Sequence, residues 1–100
     1  MFETPDKISA YDRVIIDFTA KWCGPCKHIA PLFKQLETKY TAIKFFKIDV
    51  DDFPETSQAY GVTGMPTFIA LAKGKEYKRI TGANDQKLEE LISELGALKL

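Results

Sequence analysis

Trp22-Cys23-Gly24-Pro25-Cys26 is the stretch of this sequence that decides the fold, and it holds the only two cysteines of the chain. It follows closely on residues 14–18 (VIIDF), an apolar run that predicts a buried strand. Residues 23–40 then predict a helix, because apolar side chains recur there at helical spacing. A Cys-x-x-Cys pair where a strand passes into a helix indicates a redox site. The first turn of a helix offers unpaired N–H groups and a partial positive charge, which would stabilise a thiolate at Cys23.

The composition predicts one folded domain over residues 1–100. Hydrophobic residues make up 45% of the chain and aromatic residues 12%, which is enough for a packed core. The formal net charge is +0, which argues against a nucleic-acid or anionic-membrane partner. No apolar run approaches the roughly 20 residues that span a bilayer, and the chain does not open like a secretory signal. Two cysteines without a larger disulfide framework fit a reducing compartment, so we expect a cytoplasmic protein.

The rest of the chain predicts alternating strands and helices. Pro31 is expected to kink the helix that contains it without ending it. Asn84 or Asp85 is expected to cap the last helix, which should end near Gly96. Gly74 marks a hairpin between the last two strands. Strands are predicted at residues 1–4, 13–19, 43–50, 67–72 and 76–81, and helical segments at residues 5–11 (capped by Thr4), 23–40, 54–60 and 84–96. The fold class is therefore α/β, with a central mixed sheet of four to five strands flanked by helices.

From about Val14 to its C-terminus, the chain resembles the thioredoxin family. The motif Trp22-Cys23-Gly24-Pro25-Cys26-Lys27 carries the resemblance together with several matches at fitting spacing. These are Asp17-Phe18, Asp49-Val50-Asp51, Gly61-Val62, Met65-Pro66-Thr67-Phe68, Gly74 and Gly82. The resemblance implies the thioredoxin fold, with the N-terminal strand and helix shortened. Thr19 departs from the family, which often has an aromatic residue there.

The two cysteines are predicted to have different roles. Cys23 is the expected nucleophile, and Cys26 the resolving thiol that attacks the mixed disulfide and releases the reduced substrate. A purely structural disulfide is a poor alternative, because so short a loop constrains the unfolded chain little. A zinc site is also a poor alternative, because the pair and His28 supply three ligands where structural zinc needs four. We therefore expect no metal.

Asp17 lies in an otherwise apolar strand, so burial should raise the pKa of its carboxyl. By resemblance, Asp17 takes or relays the proton of Cys26, and Lys47 on the neighbouring strand couples to it. The alternatives are an aspartate that faces solvent at a strand end and a solvated lysine. The aspartates at positions 49, 51 and 52 lack the glycine and the distal glutamate of a calcium loop and predict a solvated strand end.

A substrate-binding patch is expected around Cys23. Pro66 is predicted to follow a cis peptide bond and to face the disulfide. A strand begins just after it at Thr67, which leaves Met65 with an unpaired backbone edge that can accept an extended substrate segment. The alternatives are a trans loop proline at position 66, and a role in core packing for Trp22. The expected contributors are Trp22, Gly24, Pro25, Val62, Gly64, Met65, Gly82 and Ala83.

The resemblance implies an enzyme that reduces disulfides in protein substrates and binds no cofactor. Its dithiol would be recharged by thioredoxin reductase, an NADPH-linked partner, and the protein is expected to be a monomer. Two alternatives stay open at this point. One is the same fold biased toward oxidation or isomerisation, as in protein disulfide isomerase. The other is a module that binds a partner enzyme without redox chemistry.

Overall fold

The computed structural model describes the backbone of residues 5–100 and the side chains of residues 7–100. The strand predicted at residues 1–4 and the cap predicted at Thr4 lie outside the described residues. The elements are a 3-10 helix (Pro5–Ala10), β1 (Arg13–Thr19), α1 (Gly24–Lys39), β2 (Lys44–Asp49), α2 (Pro54–Ala59), β3 (Thr67–Ala72), β4 (Lys75–Thr81) and α3 (Asp85–Ala97). Each predicted element from residue 5 onward is present, with its ends shifted by no more than two residues.

The described residues form one mixed sheet in the order β2-β1-β3-β4, as the predicted fold class requires. β1 pairs parallel with β2 and antiparallel with β3, and β3 pairs antiparallel with β4. β1 is central and buried on both faces, which explains why its sequence is apolar without alternation. Ile15 packs into the core beneath α1 and α3, and Ile16 packs into the core on the opposite face, which contains Ile8.

The ends of α1 and α3 are set by different groups. Cys23 is the N-cap of α1, and Pro31 lies inside the helix without ending it. Asn84, rather than Asp85, caps α3, since its side chain accepts a 2.9 Å hydrogen bond from the Lys87 N–H. α3 ends at Ala97, one residue beyond Gly96, so the expectation that it ends near Gly96 is confirmed.

Arg13 explains how α3 ends without a glycine. Its Nε donates to the Leu95 carbonyl at 3.2 Å, and its Nη2 donates to the Leu98 carbonyl. The last carbonyls of a helix have no partner within the helix, and here the guanidinium of β1 supplies one. Within residues 5–100, no helix is both long and apolar enough to cross a membrane.

A two-residue turn joins β3 to β4, where the hairpin was predicted. Gly74 has φ 81° and Lys73 has φ 50°, so both turn residues lie in the left-handed region. Two positive φ values match the right-handed twist of the flanking strands. Gly74 was expected there, whereas nothing in the sequence indicated a positive φ at Lys73.

Candidate redox site

The start of α1 brings the two cysteines together. Cys23 is the N-cap with extended backbone geometry, and Cys26 lies in the first turn. Their side chains form a disulfide with Cα atoms 5.3 Å apart, within the usual range for a bridge. Only 5% of Cys23 and 3% of Cys26 is exposed, so burial alone does not distinguish the two sulfurs.

Backbone hydrogen bonds do distinguish them. The N–H of Cys26 donates to Cys23 Sγ at 3.2 Å, so this sulfur occupies the place of an N-cap oxygen. The first turn contains no acidic residue that would offset the positive end of the helix. Pro25 fits the first turn because the N–H it lacks would have no partner within the helix. In the reduced protein, the helix end would stabilise a thiolate at Cys23.

Trp22 is a surface residue, which rules out the alternative of core packing. Its side chain is 68% exposed, and its indole N–H donates to Asp51 Oδ2 at 3.0 Å. The Asp51 N–H in turn donates to Asp49 Oδ1 at 2.8 Å. Asp49 is buried, so the expectation of a solvated strand end was wrong at this position. The Asp-x-Asp spacing, typical of an Asx turn, could have indicated the local bond but not the contact with Trp22.

Asp17 is buried, which rules out the alternative of a solvent-facing aspartate. It is 1% exposed, and its Oδ1 has no hydrogen-bond partner among the residues that the structure describes. Burial raises the pKa of the carboxyl from 3.8 to about 7, against the opposing effect of the positive charge of Lys47. Lys47 is the register partner of Asp17 on β2. The structure therefore places both predicted residues beside each other.

A cleft of about 160 Å³ reaches Cys26 from the side of Lys47. Thr19 is buried and lines this cleft, at the position where an aromatic residue was noted as frequent. The full lining is Thr19, Ala20, Lys21, Cys26, Lys27, Ala30, Lys47 and Asp49. Cys26 therefore faces a small opening bordered by three lysines. Among the described residues, no group of three or more His, Cys, Asp or Glu side chains could hold a metal ion.

The Met65–Pro66 peptide bond is cis, as predicted. Met65 packs against the cluster that contains both cysteines, and the Pro66 carbonyl accepts a 2.8 Å hydrogen bond from the Gly82 N–H. A Cβ at Gly64 would lie 2.9 Å from Thr81 Cγ2, so Thr81 would have to shift to admit a larger residue at this position.

The other predicted contributors are divided between surface and core. Gly24 and Pro25 are exposed beside the disulfide. Val62 packs against the core cluster of Phe18, and Ala83 packs against the separate core cluster beneath α3. Of these side chains, Met65 packs against the cluster that contains the cysteines, whereas Val62 and Ala83 pack against the hydrophobic core.

A family model and curated relatives that match this chain are all described as thioredoxins. The family model described as Thioredoxin matches residues 4–94. Thioredoxin 1 of Plasmodium falciparum (isolate 3D7) is 42% identical over 90 residues, which cover 90% of this chain and 86% of that protein. Thioredoxin H2 of Arabidopsis thaliana is 42% identical over 84 residues, which cover 84% of this chain but only 63% of that protein's length.

A solved structure of Plasmodium falciparum thioredoxin has the same fold. It superimposes with a TM-score of 0.87 at 42% identity, covering 89% of this chain and 87% of that one. The chain therefore belongs to the thioredoxin family of thiol–disulfide oxidoreductases.

Proposed function

We propose that this chain reduces disulfide bonds in protein substrates, with Cys23 as the attacking thiolate and Cys26 as the resolving thiol. The observation that carries the proposal is the hydrogen bond from the Cys26 N–H to Cys23 Sγ at the N-cap of α1. A thiolate is the nucleophile in disulfide exchange, and a helix N-terminus lowers the pKa of a thiol placed there. Cys23 is therefore the cysteine that attacks.

The reaction has two exchange steps. Cys23 thiolate attacks one sulfur of the substrate disulfide, forms a mixed disulfide and releases the first substrate thiolate. Cys26 then loses its proton and attacks Cys23 Sγ, which forms the Cys23–Cys26 disulfide and releases the second substrate thiolate. Two electrons pass from the dithiol to the substrate.

Asp17 is the proposed acceptor of the Cys26 proton. A pKa of about 7 lets this carboxyl take and return a proton near neutral pH. Asp17 and Lys47 share the face of the sheet beneath the start of α1, and Lys47 also borders the cleft at Cys26. Lys47 supports the ionised form of Asp17 through its positive charge.

The proposed substrate segment is an extended strand that pairs with the backbone edge at Met65. This edge lies beside the disulfide because Met65 packs against the cysteine cluster. Strand addition at an open edge supplies affinity through main-chain hydrogen bonds that do not depend on sequence. The exposed ring of Trp22 adds a flat apolar contact, which favours protein substrates. Gly24, Pro25, Gly64, Gly82, Val62 and Ala83 complete the proposed patch.

The oxidised pair needs two electrons to return to the dithiol. We propose that NADPH supplies them through thioredoxin reductase, so that the chain carries electrons between that enzyme and its substrates. Residues 1–100 act as one domain and as a monomer in the cytoplasm, where disulfides are kept reduced. The cysteine pair serves as the redox centre without a further cofactor.

The proposal is tested by insulin reduction with NADPH and a thioredoxin reductase. We expect the wild type to be active and Cys23→Ser to be inactive. Cys26→Ser should accumulate mixed disulfides on Cys23, because attack remains and resolution is lost. The double variant Cys23→Ser/Cys26→Ser is the matched control and should trap nothing. Trapping by Cys23→Ser at the level of Cys26→Ser would reverse the two assignments, and activity in the double variant would contradict the proposal.

A further inference from the structure

The segment between α2 and β3, residues 61–66, carries the Met65 edge, and we call it the 61–66 loop. The neighbouring strand β4 and the residue after it hold this loop at its middle and at its end. Thr81 packs closely on Gly64, and the Gly82 N–H donates to the Pro66 carbonyl at 2.8 Å. Thr67 Oγ1 adds a 2.6 Å hydrogen bond to the Gly64 carbonyl. The middle and the end of the loop therefore lie against β3, β4 and the residue after β4.

The start of the loop is held by a side chain of the same strand. Arg79 Nη2 donates to the carbonyl of Tyr60, the C-cap residue of α2, at 2.7 Å. Carbonyls at a helix C-terminus have no partner within the helix, so an external donor stabilises them. Tyr60 is itself fixed by its ring, which packs on Phe18 with centroids 5.6 Å apart.

Glu76 holds the guanidinium in place for this bond. Arg79 Nε donates to Glu76 Oε2 at 2.7 Å, and Arg79 Nη2 donates to Glu76 Oε1 at 2.6 Å. The hydrogen bond from Arg79 lowers the pKa of the Glu76 carboxyl, so the pair is charged at neutral pH. A two-point contact with a carboxylate fixes the plane of a guanidinium, which a lysine could not match.

We propose that Arg79 is a positioning residue for protein substrates, because its bond to the Tyr60 carbonyl fixes the start of the 61–66 loop and thereby the Met65 edge. The inference rests on the proposed function, since it assumes that a substrate strand pairs at Met65. It predicts a specific kinetic effect. A loosened loop weakens the binding of an extended protein segment, but the chemistry of Cys23 at the start of α1 is unchanged.

The test compares two variants with the same change at two helix ends. Arg79→Met removes the donor at the end of α2, and Arg13→Met removes the donor at the end of α3. With insulin as substrate, we expect Arg79→Met to raise KM about three- to tenfold, the value of one hydrogen bond, with kcat unchanged. With 5,5′-dithiobis(2-nitrobenzoate), a disulfide too small to pair as a strand, the rate should be unchanged. Arg13→Met should alter neither reaction, and Arg79→Lys should give an intermediate KM.

Amide hydrogen exchange tests the role of Arg79 in the loop without relying on disulfide reduction. Amide exchange at Gly61 and Val62, whose N–H groups bond to Gln58 and Ser57, should be faster in Arg79→Met than in Arg13→Met. Unchanged exchange, or an equal loss with both disulfide substrates, would overturn the role of Arg79. A wild type that fails to reduce insulin would overturn the proposed function, while the exchange rates still decide whether Arg79 fixes the loop. Should Arg79→Met not fold, Glu76→Gln should show the same KM effect at smaller size.

Discussion

Asp17 is a buried carboxyl whose effect on stability depends on pH. Its pKa is raised by burial from 3.8 to about 7, so the folded state binds this proton more tightly than the unfolded state. The unfolded chain ionises first as pH rises, and wild-type stability is therefore lost between about pH 4 and pH 7. Asp17→Asn removes this loss, and its stability relative to wild type should rise from pH 4 to pH 8 by on the order of 4 kcal/mol at most.

The measurement is urea unfolding of the oxidised proteins at both pH values, with exposed Asp12→Asn as the control. The same variant should turn over more slowly and lose the dependence of its rate on a group that titrates near pH 7, because the proposed proton acceptor is gone. A stability difference that stays constant from pH 4 to pH 8 would contradict the burial of a titrating carboxyl at position 17.

Asp51 accepts a hydrogen bond from the exposed indole of Trp22. Trp22 is the single tryptophan, so its fluorescence reports only this site. Asp51→Ala removes the acceptor of the indole N–H, and the ring should rotate more freely and contact substrates less well. We expect lower fluorescence anisotropy and a KM for insulin raised about two- to tenfold, with thermal stability nearly unchanged.

Asp52→Ala is the matched control, because it removes an exposed carboxylate one residue away and leaves the bond between Trp22 and Asp51 in place. Equal anisotropy in the two variants would show that the hydrogen bond does not orient the ring.

The burial of single residues was easier to predict from the sequence than their side-chain contacts. The burial of Asp17 could be predicted, because its neighbours along β1 are apolar on both faces. The contact between Trp22 and Asp51 could not, since the two residues lie 29 positions apart and meet only through the fold. The contact of Arg79 with Tyr60 escaped for the same reason: strand periodicity says which face a residue occupies but not which carbonyl it reaches.

In the hairpin between β3 and β4, the backbone conformation of the two turn residues affects the stability of the protein. Lys73 has φ 50°, which costs energy for a residue with a Cβ, and asparagine tolerates this region better. Lys73→Asn should therefore raise the free energy of unfolding by about 0.5–1 kcal/mol. Gly74→Ala should lower it by about 1 kcal/mol, because φ is 81° there.

The effect at Gly74 is one of backbone conformation alone, since a Cβ there would meet no described atom within 4 Å. Gly24→Ala is the control, because position 24 is equally open and its φ lies outside the left-handed region, so stability should not fall. Thermal unfolding of the three variants decides the matter. A loss of stability in Gly24→Ala equal to that in Gly74→Ala would contradict the argument.

The elements were more predictable than their ends. Residues 14–18 and the helical spacing after Cys23 encode β1 and α1 locally, so both appeared at the expected positions. The end of α3 was predicted to within one residue, but its hydrogen-bond donor was not, because that donor comes from β1, 82 positions away in the sequence. Sequence rules for helix ends consider only residues near the end, so they cannot predict a donor from a distant strand.

For the molecule as a whole, Arg13 connects the first described strand to the last helix. Its guanidinium donates to the carbonyls of Leu95 and Leu98, so β1 and the end of α3 are bonded directly. Arg13→Met keeps most of the side-chain volume but removes this donor, so the partly buried Leu98 carbonyl loses it and the Leu95 carbonyl keeps only the Leu98 N–H at 3.4 Å. An unsatisfied buried polar group costs about 1–3 kcal/mol, and in a domain of this size each kcal/mol lowers Tm by about 4–8 °C.

We therefore expect Arg13→Met to unfold at a lower temperature, still in one transition, because α3 packs on the same core cluster as β1 through Ile15 and Leu91. Differential scanning calorimetry of the oxidised protein measures both features, with the exposed Lys99→Met as the control for loss of one positive charge. A second transition at lower temperature would mean that the Arg13 bonds rather than the shared core join α3 to the sheet. An unchanged Tm would mean that solvent satisfies the two carbonyls equally well, since only desolvated carbonyls make the loss of a donor costly.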